Sequence, residues 1–125
     1  MSEARILVVD DDRNMLVLLT RLLQKAGYTV MSAMDAAQGV MQAHRQQPDL
    51  ILLDVMMPAG GGLTVLDRLR ISMKTTAIPI IVLTGSDVPD IEARALAGGA
   101  VRVLKKPCEP DTLLAAVNEA LGRTS

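Results

Sequence analysis

Short apolar runs recur along the chain, and a longer segment with apolar residues every three or four positions follows each run. Short runs are typical of buried strands, and the longer period is typical of amphipathic helices. The predicted strands are Ile6–Val9, Tyr28–Ala33, Leu50–Leu53, Ile80–Leu83 and Val101–Leu104. The predicted helices run from Asp12 to Gly27, from Asp35 to about Gln46, over Leu63–Ile71, from Pro89 to Gly98 and over Asp111–Leu121.

The residues at the helix ends support these boundaries. Asp12 and Asp35 stand where an N-cap carboxylate would accept hydrogen bonds from free backbone amides. Gly27 follows the first helix, at the position where a left-handed residue commonly ends a helix. Pro110 fits the first turn of the last helix. The stretch from Pro58 to Gly62 is predicted to be a loop, made mobile by its glycines.

The order of elements, a strand and then a helix repeated five times, predicts the fold class. Uninterrupted apolar strands are typical of a parallel sheet that is covered on both faces. Right-handed connections then give a doubly wound α/β fold, with a five-stranded parallel sheet and five helices. Residues 1–125 are expected to form a single domain with a core of about residues 4–121 and a flexible tail at 122–125.

The charge balance, apolar stretches and cysteine content of the chain exclude several classes of protein. Thirteen basic and 14 acidic residues give a net charge of −1, without the basic excess that direct nucleic-acid binding would need. No apolar stretch has the length of a membrane span, and the first residues lack a signal-peptide core. The single cysteine, Cys108, excludes an internal disulfide. We therefore expect a cytoplasmic protein that does not contact membranes.

Polar residues follow four of the five predicted strands. They are Asp10, Asp11 and Asp12 after the first strand, Asp54 after the third, Thr84 after the fourth, and Lys105 and Lys106 after the fifth. In a parallel α/β sheet, ligands bind beyond the carboxyl ends of the strands, so these side chains are expected to share one rim. Each residue taken singly is more often a helix cap or a turn residue. Their coincidence on one rim favours a functional site.

The chemistry of this set is that of phosphoryl transfer. Several carboxylates at one site repel each other and favour a bound cation. Ligands that are all oxygen suit a hard ion such as Mg²⁺, with Mn²⁺ as a substitute. Asp54 can act as a nucleophile and form an acyl phosphate, while Lys106 and Thr84 offer a charge and a hydroxyl to phosphoryl oxygens.

Four stretches also resemble motifs of one known family, the receiver domain of two-component response regulators. They are ILVVDDD (6–12), DLILLDVMMP (49–58), IPIIVLTG (78–85) and GAVRVLKKP (99–107). Asp11, Asp54, Thr84 and Lys106 follow one another at intervals of 43, 30 and 22 residues, which fit the family. The resemblance covers nearly the whole chain and implies the flavodoxin-like sandwich of receiver domains.

The resemblance implies a role for each matching residue. Asp54 would be the phosphoacceptor, taking a phosphoryl group from a phosphohistidine on a sensor histidine kinase or a histidine phosphotransfer protein. Asp11, Asp54 and the backbone carbonyl of Met56 would bind Mg²⁺, with Asp10 helping through water. Thr84 and Lys106 would hold phosphoryl oxygens. The phosphorylated domain would then act on a downstream protein or a fused output domain, without being an enzyme in the usual sense.

The sequence departs from the family pattern at several positions. Val103 stands where the family has a switch aromatic, so the usual coupling of a threonine to an aromatic cannot operate, and we expect output through the face of the fourth helix. Cys108 stands where the family often has Phe and is expected to fill that packing position. Met56 occupies a position that tunes phosphoaspartate hydrolysis, as does Ser86. An apolar Met56 cannot orient an attacking water, which predicts a long-lived phosphoryl group.

Two alternatives remain from the residues alone. A receiver-like interaction module that is never phosphorylated would fit the missing aromatic at Val103. A small phosphohydrolase with an Asp nucleophile would need a second Asp two residues further on, which Asp10 and Asp12 provide but Asp54 and Met56 do not. A homodimer is also possible, with Arg94 and Arg102 at the face formed by the fourth helix, fifth strand and fifth helix.

Overall fold

A computed structural model describes residues 3–56, 61–85 and 89–123 of the chain. Within these residues five strands alternate with five helices. The strands are β1 (Arg5–Val9), β2 (Thr29–Ala33), β3 (Leu50–Asp54), β4 (Ile80–Thr84) and β5 (Arg102–Lys105). The helices are α1 (Arg13–Lys25), α2 (Ala36–Gln46), α3 (Gly61–Ile71), α4 (Pro89–Ala97) and α5 (Pro110–Ala120). None of the helices in the described part of the chain is long and apolar enough to cross a lipid bilayer.

The strands form one parallel sheet in the order β2–β1–β3–β4–β5. The chain moves outward from β1 to β2 and then crosses to the other side of β1 to form β3. The direction of winding therefore reverses between β1 and β3. A crevice at such a reversal is the usual ligand site in this architecture, and the carboxyl ends of β1 and β3 lie side by side there. The predicted doubly wound fold is confirmed.

Helices cover both faces of the sheet, because alternate strand residues point to opposite faces and both sets are apolar. On the first face α1 and α5 pack against a cluster that includes Ile6, Leu52 and Leu83. On the second face α2, α3 and α4 pack against a cluster that includes Leu7, Leu53 and Val82. We call these the α1–α5 face and the α2–α4 face.

The predicted caps of the first two helices are present. One Asp12 carboxylate oxygen accepts hydrogen bonds from the amides of Asn14 and Met15 at the start of α1, and Asp35 caps α2. Gly27, with φ +98°, takes the left-handed position after α1. Each of these ends therefore follows from local sequence.

The start of α3 differs from the prediction. The helix begins at Gly61, two residues before the predicted Leu63, while Pro58 and Gly60 lie outside the described residues. Gly62 is part of the helix and is buried, and a Cβ built on it would lie only 2.0 Å from the Cα of Val55. A close approach of two backbones therefore requires glycine at this position, rather than the freedom of a loop.

The first residues of the expected flexible tail make contacts with the domain, and the flexibility of residues 122–125 stays a prediction. The amide of Arg123 donates a hydrogen bond to the carbonyl of Asn118 at 2.7 Å. The Arg123 guanidinium lies 5.0 Å from the centroid of the Tyr28 ring. Arg123 therefore contacts both α5 and Tyr28, while residues 124–125 lie outside the described part.

Candidate functional site

Two buried carboxylates lie side by side at the carboxyl end of the sheet. Asp10 directly follows β1 and is 1% exposed, and Asp54 ends β3 and is 4% exposed. The register of β1 and β3 places Val9 opposite Leu53, so the next residue of each strand reaches the same rim. Burying ionised carboxylates this fully is costly unless they are hydrogen-bonded or neutralised by a cation.

Lys106 supplies one such cation. Its Nζ lies 2.8 Å from Oδ2 of Asp10 and 3.5 Å from Oδ2 of Asp54, with the lysine side chain 19% exposed. The residue follows β5, and its amide donates to the carbonyl of Thr84 at 2.8 Å, which anchors it to β4. The next peptide bond, Lys106–Pro107, is cis. The neighbouring Lys105 is exposed and lies in β5.

Backbone amides hold the second oxygen of each buried carboxylate. The Asp12 amide donates to Oδ1 of Asp10, and the Met56 amide donates to Oδ1 of Asp54, both at 2.9 Å. Each carboxylate therefore has one oxygen fixed by the local backbone and the other oxygen facing Lys106. This arrangement fixes the orientation of both groups before any ligand arrives.

The surroundings shift two pKa values. Burial raises the pKa of Asp54, and the charges of Asp10 and Asp11 act in the same direction, while the Met56 amide and Lys106 oppose them without cancelling the effect. Burial lowers the pKa of Lys106, but the hydrogen bond and the charges of Asp10 and Asp54 outweigh it, so its pKa is raised. Lys106 therefore carries its charge at neutral pH.

Three carboxylates form a group suited to a metal ion. One oxygen from each of Asp10, Asp11 and Asp54 lies within 4.8 Å of the others, with Asp11 exposed and the other two buried. An all-oxygen, negatively charged set is what Mg²⁺ and Mn²⁺ prefer. The chemistry of the donors therefore fits Mg²⁺, and one lysine does not offset three negative charges.

Thr84 reaches the same rim from the adjacent strand. It is the last residue of β4 and is 2% exposed. Asp54 pairs with Leu83 in the sheet, so Thr84 lies one residue beyond the level of Asp54. The structure thus places one predicted polar group from each of four strand ends, Asp10, Asp54, Thr84 and Lys106, at one end of the sheet.

Other residues singled out from the sequence have different surroundings. Asp12 is exposed, and its carboxylate caps α1. Helix capping therefore explains this acid, and no role in the site beside Asp10 is needed. Arg94 pairs with Asp90 at 3.9 Å and Arg102 with Glu119 at 3.3 Å, both within the chain, so the homodimer stays a prediction. Val103 packs partly buried against the α2–α4 face, and Ser86 lies outside the described residues.

Sequence reasoning missed an apolar pocket beside the site. It has a volume of about 150 Å³, and its lining includes Met15, Leu18, Leu22, Lys106, Cys108 and Leu113. Cys108 packs against the α1–α5 cluster, as expected of a packing residue. Burial and the charge of Glu109 raise the pKa of its thiol, which disfavours the reactive thiolate. The chain has neither Phe nor Trp, which is the only sequence signal for such a gap.

Comparison with known proteins identifies the family. A model of the response regulator receiver domain matches residues 6–118. Protein PilH of Pseudomonas aeruginosa is 36% identical over 118 residues, which cover 94% of this chain and 98% of PilH. The transcriptional regulator PhoB of Escherichia coli is 33% identical over 97% of this chain, but over only 53% of its own length. The chain thus spans about half the length of PhoB.

Solved structures agree with this match. The chemotaxis protein CheY4 of Vibrio cholerae has a TM-score of 0.90 at 32% identity, over 96% of this chain and all of its own. The receiver domain of the sensor histidine kinase PA1611 of Pseudomonas aeruginosa has a TM-score of 0.89 at 27% identity, over 97% of this chain and 99% of its own. That structure contains a magnesium ion in its active-site cleft.

The chain belongs to the response regulator receiver domain family. Receiver domains are phosphoacceptor modules of two-component signal transduction, and they are signalling modules rather than classical enzymes. They interact with histidine kinases and output domains, and they bind Mg²⁺ at an acidic pocket.

Proposed function

We propose that Asp54 of this chain accepts a phosphoryl group from a phosphohistidine on a sensor histidine kinase or a histidine phosphotransfer protein. The observation that carries the proposal is the position of the Asp54 carboxylate. It is buried at the end of β3, 3.5 Å from the Lys106 ammonium and within 4.8 Å of two further carboxylates. A nucleophilic carboxylate, a cation and an acidic metal cluster at one rim are the parts that phosphoryl transfer to a carboxylate needs.

In the transfer, an Asp54 oxygen forms a bond to phosphorus as the bond between phosphorus and the donor imidazole breaks. The imidazole leaves with the electron pair of that bond and takes a proton from the surrounding water. Lys106, already oriented by Asp10, stabilises negative charge on the phosphoryl oxygens, and the Thr84 hydroxyl donates to one of them. Pre-set positions of these groups lower the reorganisation that the transfer requires.

Asp10, Asp11, Asp54 and the backbone carbonyl of Met56 are the groups that would hold Mg²⁺, with Mn²⁺ as a substitute. The amide of Met56 is hydrogen-bonded to Asp54, which keeps this residue beside the cluster. The ion would supply charge neutralisation between the carboxylates and the phosphoryl oxygens. This chain's own contribution is to keep three carboxylates together despite their repulsion.

The phosphorylated domain would change its contacts with a downstream protein or a fused output domain, with residues 1–125 as one receiver domain in the cytoplasm. The side chain of Met56 is 52% exposed and carries no group that could orient water towards the phosphoryl group. If no other group orients water for hydrolysis, the phosphoryl group should last on the order of minutes or more.

The test is intact mass after incubation with acetyl phosphate, with and without Mg²⁺. We expect the gain of one phosphoryl group that depends on Mg²⁺ and is absent from the Asp54→Asn variant. Asp12→Asn is the matched control, because it removes an acid at the same end of the sheet, and Asn still caps α1. Its mass gain should equal that of the wild type. To measure the lifetime of the phosphoryl group, acetyl phosphate is removed from the same samples and their intact mass is followed over time.

A gain that survives Asp54→Asn would move the phosphoacceptor to another residue. No gain with acetyl phosphate or with phosphohistidine donors would favour the interaction module that is never phosphorylated. A half-life of seconds would contradict the role given to Met56.

A further inference from the structure

Gly62 lies closer to the backbone of the phosphoacceptor segment than any side chain would allow. A Cβ built on Gly62 would lie 2.0 Å from the Cα of Val55 and 2.5 Å from the carbonyl oxygen of Asp54. Real Cβ atoms do not approach other atoms to within 3.0 Å. The first turn of α3 therefore rests directly on the backbone of Asp54 and Val55.

Two other close-packed glycines differ in what they touch. A Cβ at Gly39 would meet Cγ1 of Val9 at 3.0 Å, and one at Gly98 would meet Cδ2 of Leu66 at 2.8 Å. At both positions the nearest atom belongs to a side chain, and no contact is shorter than 2.8 Å, so a smaller shift of the neighbour would accommodate a methyl group. The atoms that Gly62 faces are backbone, and they belong to the proposed phosphoacceptor and the residue after it.

Hydrogen bonds prevent this segment from yielding easily. The amide of Val55 donates to the carbonyl of Leu83 in β4 at 3.2 Å. The amide of Met56 donates to Oδ1 of Asp54 at 2.9 Å. Val55 itself is 6% exposed and packs in the core of the α2–α4 face. A methyl group at position 62 would have to move either α3 or the Asp54–Met56 backbone.

A movement of that backbone would reach the site directly. Val55 connects Asp54 to Met56, and the Met56 amide fixes one oxygen of the Asp54 carboxylate. When that amide shifts, the carboxylate turns relative to Lys106 and Asp10. Misplacement of a reacting group by about 1 Å can cost on the order of a hundredfold in rate.

We propose that Gly62 is a positioning residue for the phosphoacceptor site. By letting α3 rest on the Asp54–Val55 backbone, it fixes the orientation of the Asp54 carboxylate and of the Met56 backbone for metal binding and phosphoryl transfer. The inference rests on the proposed function, but its effect on metal binding can be measured without any phosphoryl donor.

The test compares Gly62→Ala with Gly39→Ala. Both variants add one methyl group on the α2–α4 face, and Gly62→Ala is expected to lower the melting temperature more than Gly39→Ala, because its methyl group would meet backbone atoms. Only Gly62→Ala should weaken Mg²⁺ binding, by about fivefold or more in calorimetric titration, and slow phosphorylation by acetyl phosphate by about tenfold or more. For Gly39→Ala the Mg²⁺ affinity and the phosphorylation rate should both stay within about twofold of the wild type. A purely structural role of Gly62 would not produce this contrast between the two variants.

Equal Mg²⁺ affinity in Gly62→Ala and the wild type would overturn the inference, as would equal losses in the two variants. Failure of the wild type to become phosphorylated would count against the proposed function alone, since the Mg²⁺ comparison would still stand.

A measurement on the wild type covers the case in which Gly62→Ala does not fold. Mg²⁺ should slow amide hydrogen exchange at Val55 and in the first turn of α3, because the two backbones are in contact there. Exchange around Gly39 should not change. Exchange at Val55 and residues 62–64 that Mg²⁺ leaves unaltered would contradict the coupling.

Discussion

The two faces of the sheet are packed in different ways. On the α2–α4 face, helices approach closely where glycines remove the side chain, at Gly39, Gly62 and Gly98. On the α1–α5 face, a pocket of about 150 Å³ separates parts of α1 and α5, and Leu18 beside it is 61% exposed. Next to the site, the α2–α4 face thus combines a direct backbone contact at Gly62 with an open groove of about 460 Å³ between α3 and α4, while the α1–α5 face has a smaller and more enclosed apolar pocket.

The two faces also contact the proposed phosphoacceptor site in different ways. The α2–α4 face contacts the backbone of Asp54 and Val55 through Gly62. The α1–α5 face reaches the site through a side chain, because Lys106 both lines the pocket and pairs with Asp10. A backbone contact therefore supports Asp54, the proposed phosphoacceptor, whereas a side-chain contact supports the cation of Lys106. This difference leads to three tests of stability.

The largest expected effect comes from truncating one leucine on each face. Leu66→Ala removes a side chain that is 1% exposed and packed against Gly98, so it leaves a closed void. Leu19→Ala enlarges an apolar pocket that already exists and is partly open to the surface. We expect unfolding free energy to fall by about 3–5 kcal/mol for Leu66→Ala and by about 2–3 kcal/mol for Leu19→Ala.

Urea unfolding followed by far-ultraviolet circular dichroism measures both losses, since the chain has no Trp for fluorescence. An equal or larger loss for Leu19→Ala would break the comparison, because it would mean that the α1–α5 face is as closely packed as the other.

An intermediate effect is expected at the rim between the faces. Burial raises the pKa of Asp54 above that of an aspartate in the unfolded chain, so the folded state binds the proton more tightly than the unfolded state. The contribution of protonated Asp54 to the free energy of unfolding is therefore lost as pH rises from the unfolded-state pKa through the folded-state pKa. Without Mg²⁺ at neutral pH, Asp54→Asn should raise the melting temperature by a few degrees, and the gain should vanish in acid.

Thermal unfolding monitored by circular dichroism at several pH values checks this prediction, with Asp12→Asn as the control. Added Mg²⁺ should stabilise the wild type more than the variant and reduce the difference. A variant less stable than the wild type at neutral pH would show that the ion pair with Lys106 outweighs the cost of burial.

The smallest effect is expected from filling the pocket. Cys108→Leu adds apolar volume to a wall of the pocket, and the raised pKa of the thiol means that no charge is lost. Unfolding free energy should rise by about 0.5–1 kcal/mol in urea titrations. Cys108→Ser, of similar size but more polar, should not be stabilising. A loss in Cys108→Leu would show that the pocket is too tightly shaped to be filled from this position.

Much of the fold could be predicted because its signals are local. The five strands are short apolar runs, and Asp12, Asp35 and Gly27 mark helix ends by their own hydrogen bonding or backbone geometry. The strand-end residues Asp10 and Asp54 could be assigned to one rim, because parallel strands all end at the same edge.

The start of α3 could not be predicted in this way. Three consecutive glycines favour a loop when only local entropy is considered. The contact of Gly62 with Val55 depends on how α3 packs on the end of β3, and the glycine is needed because of that packing. The pocket beside Lys106 has the same origin, since it depends on how α1 and α5 meet.

The sequence alone determined the order of elements, the all-oxygen chemistry of the rim and the identity of its residues. These depend on side-chain type and on periodicity along the chain. The tertiary structure decided that Lys106 pairs with Asp10 at 2.8 Å across 96 residues, and that α3 rests on the backbone of Asp54 and Val55. Such distances result from packing helices on both faces of a twisted sheet, and local sequence patterns do not predict them.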